Sequence, residues 1–183
     1  NASSDSSSEM VRQEFPWVQL ITSAENLGYG RGNNLGIAQS RGSWIALVNP
    51  DVVLCPGSLE GLVRFLETHP NVGLVGPRII RPDGSPERWL IERPSVASAF
   101  WSLVGVTWLF KTIARLGRDA KHPGSTRCFV VRGPCLVFRR QALEAIGGVP
   151  AHTFMYGEEI VIGHLLAEKS YDVWYNPIQQ VIH

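Results

Sequence analysis

The stretch Ser43-Trp44-Ile45-Ala46-Leu47-Val48-Asn49-Pro50-Asp51 decides how the chain folds. Residues 43–48 are short, apolar and partly β-branched, which reads as a buried strand. Asn49-Pro50-Asp51 stops it, because proline lacks the N–H a ladder needs and Asn and Asp favour turns. A helical pattern follows: Leu59, Leu62, Val63 and Leu66 share one face between Ser58 and His69, with Ser58 placed as an N-cap. Asn71-Val72-Gly73-Leu74-Val75-Gly76 then reads as a second strand, and Arg81-Pro82-Asp83-Gly84 as a turn. Strand, helix, strand in that order predicts an α/β layered domain, with a mostly parallel sheet and flanking helices.

Upstream, Trp17–Thr22 is a short β-prone run, and Asn1–Glu9 is serine-rich and reads as a loose terminus or linker. Between them and the first strand lies a glycine- and asparagine-rich segment, Glu25 to Gly36, expected to lead into a short helix ending near Gly42. Downstream, Phe129–Phe138 is a strand interrupted at Gly133-Pro134. Arg140–Ile146 is a short helix closed by Gly147-Gly148, Glu158–Lys169 a second helix, and Tyr171–Tyr175 a last strand.

Composition excludes several classes. The 183 residues are 44% hydrophobic and 18% charged, which is globular rather than disordered. Seventeen Lys and Arg balance sixteen Asp and Glu to a net charge of +1, so no overall field draws the chain to nucleic acid. Three scattered cysteines make neither a disulfide framework nor a zinc pattern, and fit a reducing compartment. The longest uncharged run, Pro94–Phe110, has 17 residues. A spanning helix wants about 20.

A few places carry side chains suited to chemistry. Asp51 follows an apolar strand, where ligands gather in open α/β sheets, and a carboxylate there suits Mg²⁺ or Mn²⁺. Asn-Pro-Asp is equally ordinary turn chemistry. The glycines around Gly28 and Gly30 would let backbone approach a phosphate, with Arg31 adding charge, or would merely permit positive φ. Glu158-Glu159 opens a helix. Acids there complement the dipole, or one of them serves as a general base. His183 is either a metal ligand or an incidental terminal residue. The serine-hydrolase pattern G-x-S-x-G and the zinc-protease pattern H-E-x-x-H are both missing from the sequence.

Read in order, these segments resemble the inverting family 2 glycosyltransferases of GT-A fold, rhamnosyltransferase-like members above all. Asn1–Ser7 resembles the end of a V-D-N-x-S-x-D segment, and Asn26–Ile37 resembles N-L-G-F-x-x-G-x-N-x-G-I. Asn49-Pro50-Asp51 is similar to the N-P-D form of the D-x-D metal motif. Arg132–Arg140 with Gly147-Gly148 is similar to G-A-x-x-x-x-R-R…G-G-F, and Phe154–Glu159 to F-x-Y-x-E-D. Tyr175-Asn176-Pro177 and His183 resemble Y-x-P…H. The chain departs from the pattern in Glu159, where many members carry Asp, and in Val149-Pro150, which replaces Phe-Asp.

The resemblance implies one GT-A domain over residues 1–183, with the family's first strand and base-contacting Asp lying before Asn1. It implies sugar transfer from a nucleotide-diphospho-sugar to a saccharide or lipid-linked saccharide hydroxyl with inversion, in bacterial polysaccharide or lipid-linked glycan assembly. It makes Glu159 the base, with Glu158 positioning it or the acceptor. Asn26, Gly28, Arg31, Asn34, Asn49 and Asp51 become donor-binding residues, and Asp51 and His183 hold Mg²⁺ or Mn²⁺. The implied location is cytoplasmic, at the inner face of the cytoplasmic membrane. Segment 95–121, with Phe100, Trp101, Trp108 and Phe110 before Lys111, Arg115, Arg118 and Lys121, is either an interfacial membrane contact or a helix packed over the acceptor cleft or onto a part of the protein outside these residues. Two other readings remain: a non-catalytic sugar-nucleotide or glycan-binding module on the same scaffold, and a nucleotidyltransferase.

Overall fold

The structure, a computed structural model, describes residues 1–87, 90–91, 124–151 and 157–183. Its main sheet holds six strands. They are β1 (Trp44–Val48), β2 (Val53–Leu54), β3 (Val72–Ile80), β5 (Thr126–Cys128), β7 (Cys135–Arg139) and β8 (Asp172–Ile182). Their order is β1-β7-β3-β8-β2, with β5 also paired to β8. A separate two-stranded sheet pairs β4 (Leu90–Ile91) with β6 (Val130–Val131). Five helices are described: α1 (Ser7–Glu14), α2 (Gly28–Gln39), α3 (Ser58–Thr68), α4 (Arg140–Ala145) and α5 (Glu158–Glu168).

The sheet has an apolar layer on each face. Alternation along β7 sends Val137 to one face and Leu136 and Phe138 to the other. On the first face Val137 joins Val72 and Val75 of β3 beneath Leu62 and Leu66 of α3. On the second, Leu136, Phe138 and Leu74 pack with Ala142 and Leu143 of α4 and with Ile162 and Leu166 of α5. Phe138, Leu62, Leu66, Leu136, Ile162 and Leu166 are fully buried. Each removes roughly 1.5–3 kcal/mol of apolar surface cost from water. The helix read from Leu59, Leu62, Val63 and Leu66 is therefore α3, with that face inward. Its cap is Gly57 in the left-handed region (φ 75°), and Ser58 becomes the first helical residue.

Arg139 ties these layers together. Its guanidinium donates to the carbonyls of Leu66 (2.6 Å) and His69 (3.2 Å) at the end of α3, while Nε donates to Val72 (3.2 Å). The same group stacks over the Trp44 ring, 4.9 Å from its centroid. The last carbonyls of a helix lack intrahelical partners, and a cation there satisfies them.

The sheet is mixed rather than mostly parallel. β3 and β8 pair in parallel, but β7 lies antiparallel between β1 and β3. β7 begins at the edge where β1 and β3 end, so it must run back between them. The last strand also extends far beyond Tyr175, to Ile182. It accommodates Pro177 through a register shift between Pro77 and Arg78 of β3. A bulge admits the residue that cannot donate to the ladder. Buried Asn176 holds the bulge by accepting from the Ile178 N–H (3.1 Å).

Two N-terminal expectations change. Residues 7–14 are a helix rather than a loose terminus, started where Asp5 accepts from the Ser7 N–H (3.1 Å) and hydroxyl (2.5 Å). The Trp17–Thr22 run forms no strand, and Trp17 is 77% exposed. Among the described residues no helix is long and apolar enough to cross a membrane.

Candidate functional site

Strand directions gather the site. β1 and β3 are both antiparallel to β7, and β8 is parallel to β3, so β1, β3 and β8 end at one edge. Asn49–Asp51 follows β1, Glu87 follows β3, His183 follows β8, and Arg132–Pro134 immediately precedes β7. Carboxyl ends of strands are where open α/β sheets present ligands.

Asp51 is exposed there, and its Oδ2 stands 3.4 Å from His183 Nε2. The other ring nitrogen, Nδ1, faces Glu87 Oε2 at 3.8 Å. Glu87 is in turn ion-paired to Arg132. Two backbone bonds fix this row to the end of β3: Glu87 N–H donates to the Ile79 carbonyl (2.9 Å), and His183 N–H to the Ile80 carbonyl (3.0 Å). Asp51 and His183, 132 positions apart, thus stand side by side.

Glu158 and Glu159 open α5 behind Gly157, which is in the left-handed region (φ 95°). Glu158 is 3% exposed, and Glu159 is half-buried with its carboxylate against Gly133, where a Cβ would overlap Oε1. Tyr29 closes this cluster, its hydroxyl 3.5 Å from the Gly133 carbonyl. Burial pushes the Tyr29 phenol up to about 12, and the carboxylates of Glu159 and Glu158 push the same way. A neutral phenol is favoured wherever water is excluded and negative charge is near.

One tripeptide connects the two groups. Arg132 pairs with Glu87 of the His183 row, Gly133 carries the Glu159 carboxylate, and the Pro134 carbonyl accepts from Asn49 N–H (2.9 Å), two residues before Asp51. Asp51 and Glu159 therefore belong to one edge of the sheet, joined through Arg132–Pro134.

The glycine-asparagine segment is itself helix α2 rather than a loop leading into one. Gly28 is buried with φ 73°, a conformation that glycine adopts without a Cβ penalty. Asn26 Oδ1 accepts from Gly28 N–H (3.0 Å) and starts the helix. Asn1 braces the same turn, accepting from Leu27 N–H (2.8 Å) and donating to the Gly28 carbonyl (3.2 Å). Asn34 bonds the main chain of Val149 at both ends of its amide, donating to the carbonyl (2.8 Å) and accepting from the N–H (2.9 Å). Asn26 thus engages backbone two residues on and Asn34 reaches across to that of Val149, whereas Arg31 projects exposed from α2.

The Asp51–His183 pair suits a divalent cation in its chemistry. A hard carboxylate and an imidazole nitrogen lie at a separation two neighbouring ligands of one ion can share, and exposure of Asp51 leaves room for water and phosphate oxygens. Among the described residues no group of three or more His, Cys, Asp or Glu side chains is placed to hold a metal ion, so the pair stands without a third protein ligand of these types there.

Glu87, Arg132 and Tyr29 were given no role by the sequence alone. Glu87 and Arg132 are 45 residues apart and meet only through the sheet. Tyr29 carried a signal, since it sits inside the glycine-rich motif. Phe154–Tyr156 of the acidic motif and the aromatic-basic segment 95–121 lie outside the described residues.

Comparison with known proteins bears on the family and the fold. Residues 1–147 match the model of glycosyl transferase family 2. The chain is 30% identical to an N-acetylglucosaminyl-diphospho-decaprenol L-rhamnosyltransferase of Mycobacterium tuberculosis, over 100% of this chain and 64% of that protein. It thus spans somewhat less than two thirds of that relative's length. Among solved structures, GalNAc-T7 with UDP, GalNAc and Mn²⁺ superposes with a TM-score of 0.69 at 11% identity, covering 99% of this chain and 35% of that one. The mannosyltransferase PcManGT of Pyrobaculum calidifontis, in complex with GDP-Man and Mn²⁺, gives 0.64 at 18% identity over 100% and 45%. Those likenesses establish an α/β nucleotide-sugar transferase fold of GT-A type. The family match over four fifths of its length shows that the chain belongs to glycosyl transferase family 2.

Proposed function

We propose that residues 1–183 form the GT-A portion of an enzyme that moves a sugar from a nucleotide-diphospho-sugar to an acceptor hydroxyl with inversion, in bacterial surface-polysaccharide or lipid-linked glycan assembly. The observation that carries this reading is the Arg132–Pro134 link between the Glu159 carboxylate and the Asp51–His183 pair.

A sugar hydroxyl is a poor nucleophile at neutral pH, so a carboxylate must take its proton as it attacks. Glu159, at the rim of its helix, is the base. The acceptor oxygen forms its bond to the anomeric carbon as the bond to the diphosphate breaks, and this single displacement inverts the centre. Glu158 holds the opening of α5 and the acceptor side of the site. Asp51 and His183 would hold Mg²⁺ or Mn²⁺, which would supply positive charge at the leaving diphosphate. Gly28, Arg31 and Asn49 face the donor. Asn26 and Asn34 serve the donor site indirectly, by fixing α2.

The relative named for transferring L-rhamnose to a diphospho-decaprenol acceptor supports a lipid-linked acceptor. The Mn²⁺ and nucleotide or nucleotide-sugar in the two solved neighbours support the metal and the donor class. On this reading the enzyme works in the cytoplasm, at the inner face of the cytoplasmic membrane, where such an acceptor is presented.

The test is the intact protein with a panel of nucleotide-diphospho-sugars and Mn²⁺, followed by calorimetric donor binding and a transfer assay. Glu159→Gln should lower turnover by about 10²–10⁴-fold and leave donor affinity within a few-fold. Near-normal turnover in that variant excludes Glu159 as base. Donor binding by the wild type without hydrolysis or transfer would make the chain a binding module.

A further inference from the structure

We infer that Glu87 is a positioning residue for His183, holding the Nδ1 edge of the imidazole so that Nε2 is presented beside Asp51. The inference rests on the reading that Asp51 and His183 share a divalent cation.

The geometry separates the two carboxylates by the ring itself. Asp51 Oδ2 lies 3.4 Å from Nε2, and Glu87 Oε2 lies 3.8 Å from Nδ1. The two nitrogens open onto different edges of the imidazole, so Glu87 cannot reach an ion bound at Nε2. It stands behind the ring instead. At 3.8 Å this is a charge contact rather than a hydrogen bond, and it favours the ring orientation with Nδ1 toward Glu87 and Nε2 toward Asp51. A cation bound at Nε2 would leave the ring's proton on Nδ1, facing that carboxylate. Carboxylates placed behind metal-binding imidazoles act this way generally, setting tautomer and ring orientation.

The arrangement is held from three sides. Glu87 is largely buried, its side chain 17% exposed, while Asp51 is 68% exposed. Arg132 pairs with the same carboxylate and offsets its charge. Glu87 and His183 both hang from adjacent carbonyls of β3, Ile79 and Ile80, so their main chains keep a constant spacing. A surface ion pair with this geometry would be worth little. A half-buried carboxylate braced by an arginine and aimed at a ring nitrogen instead constrains a rotamer.

The experiment uses the intact protein, with Mn²⁺ alone as probe, read by electron paramagnetic resonance. Glu87→Ala should weaken Mn²⁺ binding about 10–100-fold. Glu87→Gln, which keeps an acceptor oxygen and removes the charge, should recover part of the loss. Circular dichroism and thermal melting identify variants that fail to fold, and Glu87→Gln serves if Glu87→Ala is one of them. A second readout uses diamagnetic Mg²⁺: in its presence ¹⁵N chemical shifts should show His183 as the Nδ1–H tautomer in the wild type and a tautomer mixture in Glu87→Ala. Wild-type Mn²⁺ affinity and an unchanged tautomer in Glu87→Ala, with affinity still lost in Asp51→Ala, would overturn the role of Glu87 and leave the metal reading standing. Sugar transfer by a wild type that binds no Mn²⁺ would overturn the metal reading, and this inference with it.

Discussion

The carboxylate of Glu159 rests on the α-carbon of Gly133, close enough that a methyl group there would overlap Oε1. The obstructing atom is the end of a flexible side chain rather than backbone, so the fold can absorb the change while the carboxylate moves aside. Gly133→Ala should therefore melt close to the wild type yet lose turnover by about 10²-fold, the usual effect of moving a reacting group by an ångström. Steady-state kinetics beside thermal melting will check it. The loss should fall on kcat rather than on KM for the donor, and should add nothing to Glu159→Gln.

Helix α2 offers two glycines with opposite expectations. A Cβ on Gly30 would overlap the main-chain carbonyl of Pro150, which cannot swing away, whereas nothing lies within 4 Å of one on Gly36. Alanine gains up to about 1 kcal/mol over glycine in a helix. Gly36→Ala should show that gain as a higher urea midpoint. Gly30→Ala should show a net loss of about 1–3 kcal/mol from overpacking.

Asn34 meets the N–H and the carbonyl of Val149 together, and Val149 is 2% exposed. Asn34→Ala leaves both main-chain groups without that partner, at a cost of about 1–3 kcal/mol in urea denaturation. Donor KM, measured well below the melting temperature, should rise only a few-fold, because Asn34 acts on the donor site by fixing α2. A large rise in KM with normal stability would instead place Asn34 in direct contact with the donor.

Alkaline stability follows from groups that burial keeps neutral. Burial raises Tyr29, Tyr175 and Cys128 to about 12 and Cys135 to about 11, against ordinary values of 10.0 for tyrosine and 9.0 for cysteine. Their folded pKa values lie above the unfolded ones, so the unfolded chain releases protons first as pH rises. Stability should be intact below about pH 9 and fall progressively toward pH 12. Denaturation series across that range will show it. Tyr29→Phe should reduce the slope above pH 10, the ordinary tyrosine value.

Elements built on local periodicity were legible before any coordinates. Leu59, Leu62, Val63 and Leu66 marked α3, Trp44–Val48 marked β1, and Gly147-Gly148 marked the end of α4, because each depends on neighbours within a few residues. Helix α1 escaped this reading, since it buries no residue and so leaves no apolar stripe to find. Its start depends on the Asp5 side chain instead.

Motifs taken in order along the chain were enough, through their resemblance to family 2 glycosyltransferases, to point to that family and to single out Asp51, Glu159 and His183. Strand direction was beyond their reach: nothing within Cys135–Arg139 tells that segment to run antiparallel between β1 and β3. That depends on which distant strand ends share an edge, as does the meeting of Glu87, Arg132 and His183. Periodicity is written over a handful of neighbouring residues, whereas contacts between segments tens of positions apart exist only once the chain has closed its layers.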